Sequence, residues 1–216
     1  MKRERTKLKK IIDTLFFPVR ALFIPEESYI GLTSLRDERM EEVAKEVSGY
    51  TLDIGCGRNN LFIKNFVQNG IGIDIYEYEG VDNVVKDMTK LPFDDETFDC
   101  VTLIAVGGHI PKKDRVNEFK EIARVLKYGG KLILTEGEPI TQTIGHIYRE
   151  FSYKLMGKVD MDNERGMEHD EEFCMPYDEL MGYLNTPPLK FIKRRKFMWG
   201  LNNIYIAKKI REKENG

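Results

Sequence analysis

One short stretch constrains this chain more than any other: Thr51-Leu52-Asp53-Ile54-Gly55-Cys56-Gly57. A strand signal over Tyr50 to Ile54 runs directly into a glycine pair, with an acidic residue just before the strand ends. A carboxylate at the carboxyl end of a parallel strand stands where open α/β sheets bind ligands. Glycine lets the backbone turn tightly and approach a ligand with no side chain in the way. Together these residue types describe a nucleotide-type cofactor pocket.

Strand and helix signals then alternate. Ile71 to Ile75 reads as a second strand, and Val84-Val85 as a short third. Phe98 to Val106 is a nearly unbroken apolar run, the pattern of a strand buried on both faces. Lys131 to Glu136 is another such strand, entered through the turn Tyr128-Gly129-Gly130. Between the strands, Asn60 to Asn69 and Arg115 to Leu126 carry helical apolar stripes, the first closed by Gly70. This βαβ rhythm implies a parallel sheet with right-handed crossovers. The chain has 216 residues, 41% of them hydrophobic, so one α/β domain with a real core fits. A net charge of −2 creates no field that would favour nucleic acid.

The flanks follow other patterns. Leu8, Ile11, Ile12, Leu15, Phe16, Val19, Leu22 and Phe23 recur at helical spacing, with Pro18 expected to interrupt the helix. A second helix is expected from Ser34, with Ser34 and Asp37 as an imperfect capping box and Gly49 as its close. Gln142 to Met156 has helical character, and Asp160 to Glu179 holds nine acidic residues, the composition of a solvated cap. Tyr177 to Leu184 reads as a helix that Pro187-Pro188 prevents from continuing. Lys190 to Trp199 and Asn203 to Lys208 read as an antiparallel hairpin. The expected organisation is one domain in four parts: a helical extension over 1–48, a cofactor core over 49–137, a substrate-side cap over 138–188, and a hairpin with tail over 189–216.

Three acids fall at successive strand ends. Asp74 lies 21 residues after Asp53, and Asp87 lies 13 residues further on. An acid after the second strand is placed to accept from ribose hydroxyls. One after the third can accept from an adenine amino group, with the backbone at Met88 beside the ring. Asp53 can bond a cationic amino group or hold the glycine loop in shape. Each acid alone would be an ordinary turn residue; their order and spacing carry the reading.

These motifs resemble class I S-adenosylmethionine-dependent methyltransferases of the type 11 subgroup, the group similar to ubiquinone/menaquinone-biosynthesis methyltransferases. Leu52-Asp53-Ile54-Gly55-Cys56-Gly57, Gly72-Ile73-Asp74-Ile75 and Asp87 match the motif order. Leu91-Pro92-Phe93-Asp94-Asp95-Glu96-Thr97-Phe98-Asp99 is similar to the subgroup's loop into the fourth strand, and Glu121 to Gly130 to its helix and turn before the fifth. The resemblance covers about Tyr50 to Glu136 and implies a seven-stranded, Rossmann-like, mostly parallel sheet with a reversed last strand. It implies S-adenosylmethionine as cofactor and S-adenosylhomocysteine as product. The donor site it implies comprises Asp53, Gly55, Cys56, Gly57, Asp74, Ile75, Asp87, Met88 and Val106. A nicotinamide-binding dehydrogenase ranks below, because its fingerprint wants Gly or Ala where Asn60 stands. The other alternative is a donor-binding regulatory or partner protein without transferase activity.

Methyl transfer from a sulfonium needs alignment more than it needs a base, which is required only if the acceptor must lose a proton. His109, in Ala105-Val106-Gly107-Gly108-His109-Ile110-Pro111, is the best-placed candidate for a base or an orienting group. His146, Tyr148 and His169 are weaker candidates. Gly107 and Gly108 either open room for an acceptor or shape the turn. The histidines and cysteines lack metal-ligand spacing, so no metal is expected. The expected acceptor is a small or lipid-like molecule. The N-terminal helix is read as a lid or as a segment docked by its apolar face, with peripheral membrane contact as the alternative. Lys193-Arg194-Arg195-Lys196 reads as the charged side of a strand rather than an RNA surface. Three widely spaced cysteines, with neither a signal peptide nor a spanning segment in view, point to the cytoplasm.

Overall fold

The computed structural model of the chain describes residues 4–24, 26–138, 172 and 174–211. Seven strands form one sheet in the order β3-β2-β1-β4-β5-β7-β6. They are β1 (Thr51–Ile54), β2 (Gly70–Asp74), β3 (Asn83–Val84), β4 (Phe98–Ile104), β5 (Leu126–Gly137), β6 (Leu189–Phe197) and β7 (Asn202–Lys209). Pairing from β3 through β5 is parallel. β7 runs antiparallel to both β5 and β6, so the last strand is the reversed one, as the resemblance implied.

The apolar runs of β4 and β5 are buried on both faces. On one face, α4 (Lys112–Val125) and α5 (Tyr177–Leu184) set Phe119, Ile122, Leu180 and Leu184 against Leu52, Ile54, Leu103 and Leu134. On the other, α3 (Leu35–Ala44) sets Met40 and Val43, with Phe62 and Phe66, against Cys100, Ile133 and Ile206. Burial on this scale, at roughly 25 cal/mol per Å² of apolar area, supplies the main driving force.

Several boundaries depart from expectation. The helix expected over 60–69 is a 3-10 turn at Arg58–Asn60 and a π-helical turn at Ile63–Val67. Gln68, at φ 66°, ends it. Gly70 belongs to β2 instead, where a Cβ would lie 2.3 Å from the Thr51 carbonyl oxygen. Ser34 caps α3 by accepting from the Asp37 N–H at 3.0 Å, but the helix ends at Ala44, before Gly49. The expected turn at 128–130 lies within β5, whose register against β4 shifts between Phe98 and Cys100.

The largest departure is at the N-terminus. α1 (Lys7–Leu15) and α2 (Phe17–Phe23) meet at Phe16, with Pro18 in the first turn of α2, where its missing N–H costs nothing. The apolar face was expected to dock or to cover the pocket. Instead Asp13, Phe17 and Arg20 point inward, and Leu8, Ile11, Leu15, Phe16 and Phe23 are exposed. Arg20 donates to the Thr33 carbonyl at 2.6 Å and the Asp13 carbonyl at 2.8 Å, and pairs with Glu38. Asp13 accepts from the Thr33 N–H at 3.0 Å and from Arg5 at 3.1 Å. Burial alone would raise the Asp13 pKa, but the Thr33, Arg5 and Arg20 donors hold it below the usual carboxylate range. Because every inward charge has a partner, the polar stripe can pack inward. No described helix is long and apolar enough to cross a membrane. The helix expected over 142–156, His146, Tyr148, His169 and most of the acidic stretch lie outside the described residues.

Candidate functional site

The glycine loop leaves β1 at the carboxyl edge of the sheet. The N–H groups of Gly55 and Cys56 both donate to the Ile73 carbonyl, at 2.9 and 3.1 Å, anchoring the loop to β2. Gly55 has φ 71°, and a Cβ there would lie 2.6 Å from Val106 Cγ2. It is therefore required both for its backbone angle and for space. Gly57 also has a positive φ, 65°, but nothing among the described residues lies within 4 Å of where its Cβ would be. Among the described residues, the surface over Gly57 is open.

Asp74, at the end of β2, is buried and ties the loops together. Its Oδ2 accepts from the Gly57 N–H and its Oδ1 from the Tyr76 N–H, each at 3.0 Å. Each carboxylate oxygen keeps a further lone pair for an incoming donor. Asp53 stands between Gly72 and Thr102 in the sheet register. Its Oδ1 accepts from Thr102 Oγ1 at 2.6 Å. Burial pushes the Asp53 pKa up to about 7; the Thr102 bond opposes this, and the Asp74 charge adds to it. Burial, together with the charges of Asp53, Asp74 and Asp82, also raises the Cys56 thiol, making it a poor nucleophile.

The three acids are not equivalent. Asp53 and Asp74 come together beneath and beside the loop. Asp87 stands past β3 on an exposed turn, accepting from the N–H of Thr89 at 3.0 Å and from its hydroxyl. Those bonds hold its carboxyl below the usual range. Met88 packs partly against the core, and Ile75 is exposed on the rim. Asp82, which the sequence did not single out, bridges two elements: its Oδ2 accepts from Asn60 Nδ2 at 2.6 Å and the Gly72 N–H at 2.7 Å. Asn60 thereby fills the space a Cβ on Gly72 would take, which explains an asparagine at that loop position.

Beyond β4, Ala105 adopts φ 58° and donates its N–H to Thr135 Oγ1 at 3.0 Å. A left-handed non-glycine residue at a strand end marks local backbone strain. Val106 then packs on Gly55, and Gly107–His109 forms a 3-10 turn closed by the His109 N–H on the Val106 carbonyl at 2.9 Å. His109 is half-buried. The glycines open no room for an acceptor. A Cβ on Gly107 would lie 2.1 Å from Glu136 Oε1, and one on Gly108 2.3 Å from the Glu172 carbonyl oxygen. They admit neighbours that already fill the space.

Glu136, at the end of β5, was not foreseen. Burial raises its pKa to about 8, although Arg39, Arg115 and the N–H groups of Met175 and Gly108 pull it down. Its Oε1 is buried with no hydrogen-bond partner among the described residues. The only sequence signal was a glutamate inside an apolar strand.

With this geometry in place, comparison with known proteins shows what the chain resembles. Residues 52–134 match the family model described as a methyltransferase domain. Over these residues, less than half of its length, the chain is similar to methyltransferase domains. Among curated relatives, the ubiquinone/menaquinone biosynthesis C-methyltransferase UbiE of Idiomarina loihiensis is 32% identical over 77 residues, covering 35% of this chain and 30% of that protein. The probable tRNA methyltransferase 9B of Homo sapiens is 37% identical over 90 residues, covering 38% of this chain and 20% of that protein. The chain therefore spans less than a third of either relative. In fold it is similar to a Pyrococcus horikoshii crystal structure, with TM-score 0.60 and 21% identity over 81% of this chain and 90% of that one.

Proposed function

We propose that this chain transfers the methyl group of S-adenosylmethionine to a small, lipid-like acceptor. The observation that carries this reading is the Gly55–Gly57 loop, pinned by Asp74 and open above Gly57, at the carboxyl end of β1 within residues similar to methyltransferase domains.

The residues present suit the donor. Asp74 accepts from ribose hydroxyls through its remaining lone pairs while keeping the loop in shape. Asp53 supplies a buried carboxylate toward the ammonium end of the donor. Gly55, Cys56 and Gly57 offer backbone to it, and Val106 closes one side. Ile75, Met88 and Asp87 border the adenine. When bound, the donor supplies a methyl group already activated on a sulfonium. The protein has to align it with the acceptor and keep water out. His109 orients the acceptor or takes its proton.

The acceptor is the less constrained half. The two relatives are named for a quinone pathway and for tRNA, so likeness over this core carries no acceptor information. A net charge of −2 and the absence of a stacking-aromatic pattern in the basic strand favour a small apolar molecule over RNA. The test uses S-adenosylmethionine labelled in its methyl group. Incubation with a lipid extract, with tRNA and with neither should put label in the organic phase only in the first. Label in RNA overturns the acceptor class. Donor binding without turnover on any acceptor class supports a binding protein instead.

A further inference from the structure

We propose that the outward face of α1 and α2 is a docking surface for an anionic lipid bilayer, which it meets with both helices lying in the plane of the headgroups. The stripe runs from Leu8 to Phe23, about 24 Å at ~1.5 Å per residue. Leu15 is 71% exposed and Phe23 61%, although both are large and apolar. The arrangement is fixed rather than incidental. Arg20 and Asp13 are buried on the opposite side with partners from Thr33, Arg5 and Glu38, so the helices cannot turn over without stranding them.

Two other apolar tips sit next to the pair. Ile30 is 80% exposed at φ 49°, an unfavourable angle for a β-branched residue, in a loop that Lys9 grips through the Gly31 carbonyl. Trp199 is 61% exposed, also at positive φ, and stacks on Phe17 with ring centroids 5.0 Å apart. Its turn follows Phe197, which pairs with Asn202, which in turn pairs with Gly137 at the end of β5. The patch therefore borders the same edge of the sheet as the glycine loop.

Charge chooses the occupant. Of the seven basic residues among the first 24, Arg5 and Arg20 turn inward onto carboxylates and Lys9 and Lys10 pair at the flank, so Lys7 supplies the outward charge at the stripe. Lys7 stands exposed immediately before the stripe, and Lys2-Arg3 precedes it in sequence. Phe, Trp and Leu on one face with lysine at its border is the composition of a helix that lies in a lipid interface.

Flotation of the full chain without any methyl donor tests this independently of the proposed activity. Vesicles of about seven parts phosphatidylcholine to three parts phosphatidylserine should carry the protein upward, and vesicles of phosphatidylcholine alone should carry less. The double variant Leu15→Glu, Phe23→Glu should lose at least about ten-fold in vesicle partition, because buried apolar area sets the affinity. Lys7→Glu should lose about five-fold or more. The double variant should melt as the wild type does, since it changes only exposed positions. Wild type that stays in the dense layer overturns the proposal, as does a double variant that floats equally well. A dimer that the double variant dissociates makes the face a contact between copies and also overturns it. So does a double variant melting more than about 5 °C early, which means the chain itself covers the face.

Discussion

The sheet and the N-terminal helical pair bury opposite kinds of side chain. Across β1, β4 and β5, apolar residues go inside on both faces, and the cost of ordering them is met by the area they bury. In α1 and α2 the charged stripe goes inside, and the large hydrophobes stay in solvent. Periodicity reports which face of a helix is apolar. It does not report which face is buried when a complete set of ionic partners waits at the polar one.

Removing an inward group from each region should cost a similar amount. Arg20→Ala strands Asp13 and Glu38, and Phe62→Ala empties a fully buried site. Each should lower unfolding free energy by about 3–5 kcal/mol in urea titrations. A loss below ~1 kcal/mol for Arg20→Ala would mean that the ionic network is surface decoration.

The next contrast lies within the glycine loop. Gly55→Ala combines positive φ with a collision against Val106 and should destabilise by about 2–3 kcal/mol. Gly57→Ala meets no neighbour among the described residues, so only the backbone penalty applies, about 1–3 kcal/mol because φ 65° with ψ −171° is a glycine conformation, while its methyl group enters the space assigned to the donor. Thermal melts with and without S-adenosylhomocysteine would separate the two, with ligand stabilisation lost in both.

Asp53 gives a pH signature. Folded, it holds its proton to about pH 7, whereas the unfolded carboxyl releases it near 3.8. Between those values folding takes up a proton, so this group's contribution to stability falls as pH rises and levels off above about 7. Asp53→Asn should therefore match wild type near pH 4 and exceed it by up to about 4 kcal/mol at pH 8. Equal stability at both pH values would remove burial as the controlling effect. The smallest effect belongs to the outward stripe: Leu15→Ser should change stability by less than about 0.5 kcal/mol.

Much of the fold was legible, for identifiable reasons. The unbroken run from Phe98 had to be an inner strand, and Tyr177 to Leu184 was bounded by prolines on both sides. The loop at Gly55 was legible because strand, acid and glycines are contiguous. What escaped was pairing at long range. Asp82 with Asn60, Glu136 over Gly107, and Arg20 with Thr33 and Glu38 each join residues that no local pattern links. Asp74 was read as a ligand residue alone, but its hold on the Gly57 N–H makes it part of the loop's own structure.

Calorimetric titration of S-adenosylhomocysteine into the wild type and Asp74→Ala tests the central claim most directly. The account predicts saturable one-to-one binding to the wild type and a loss of about 30-fold or more in the variant, because charge-assisted bonds to ligand and loop vanish together. No binding to the wild type, or equal affinity in the variant, would contradict it.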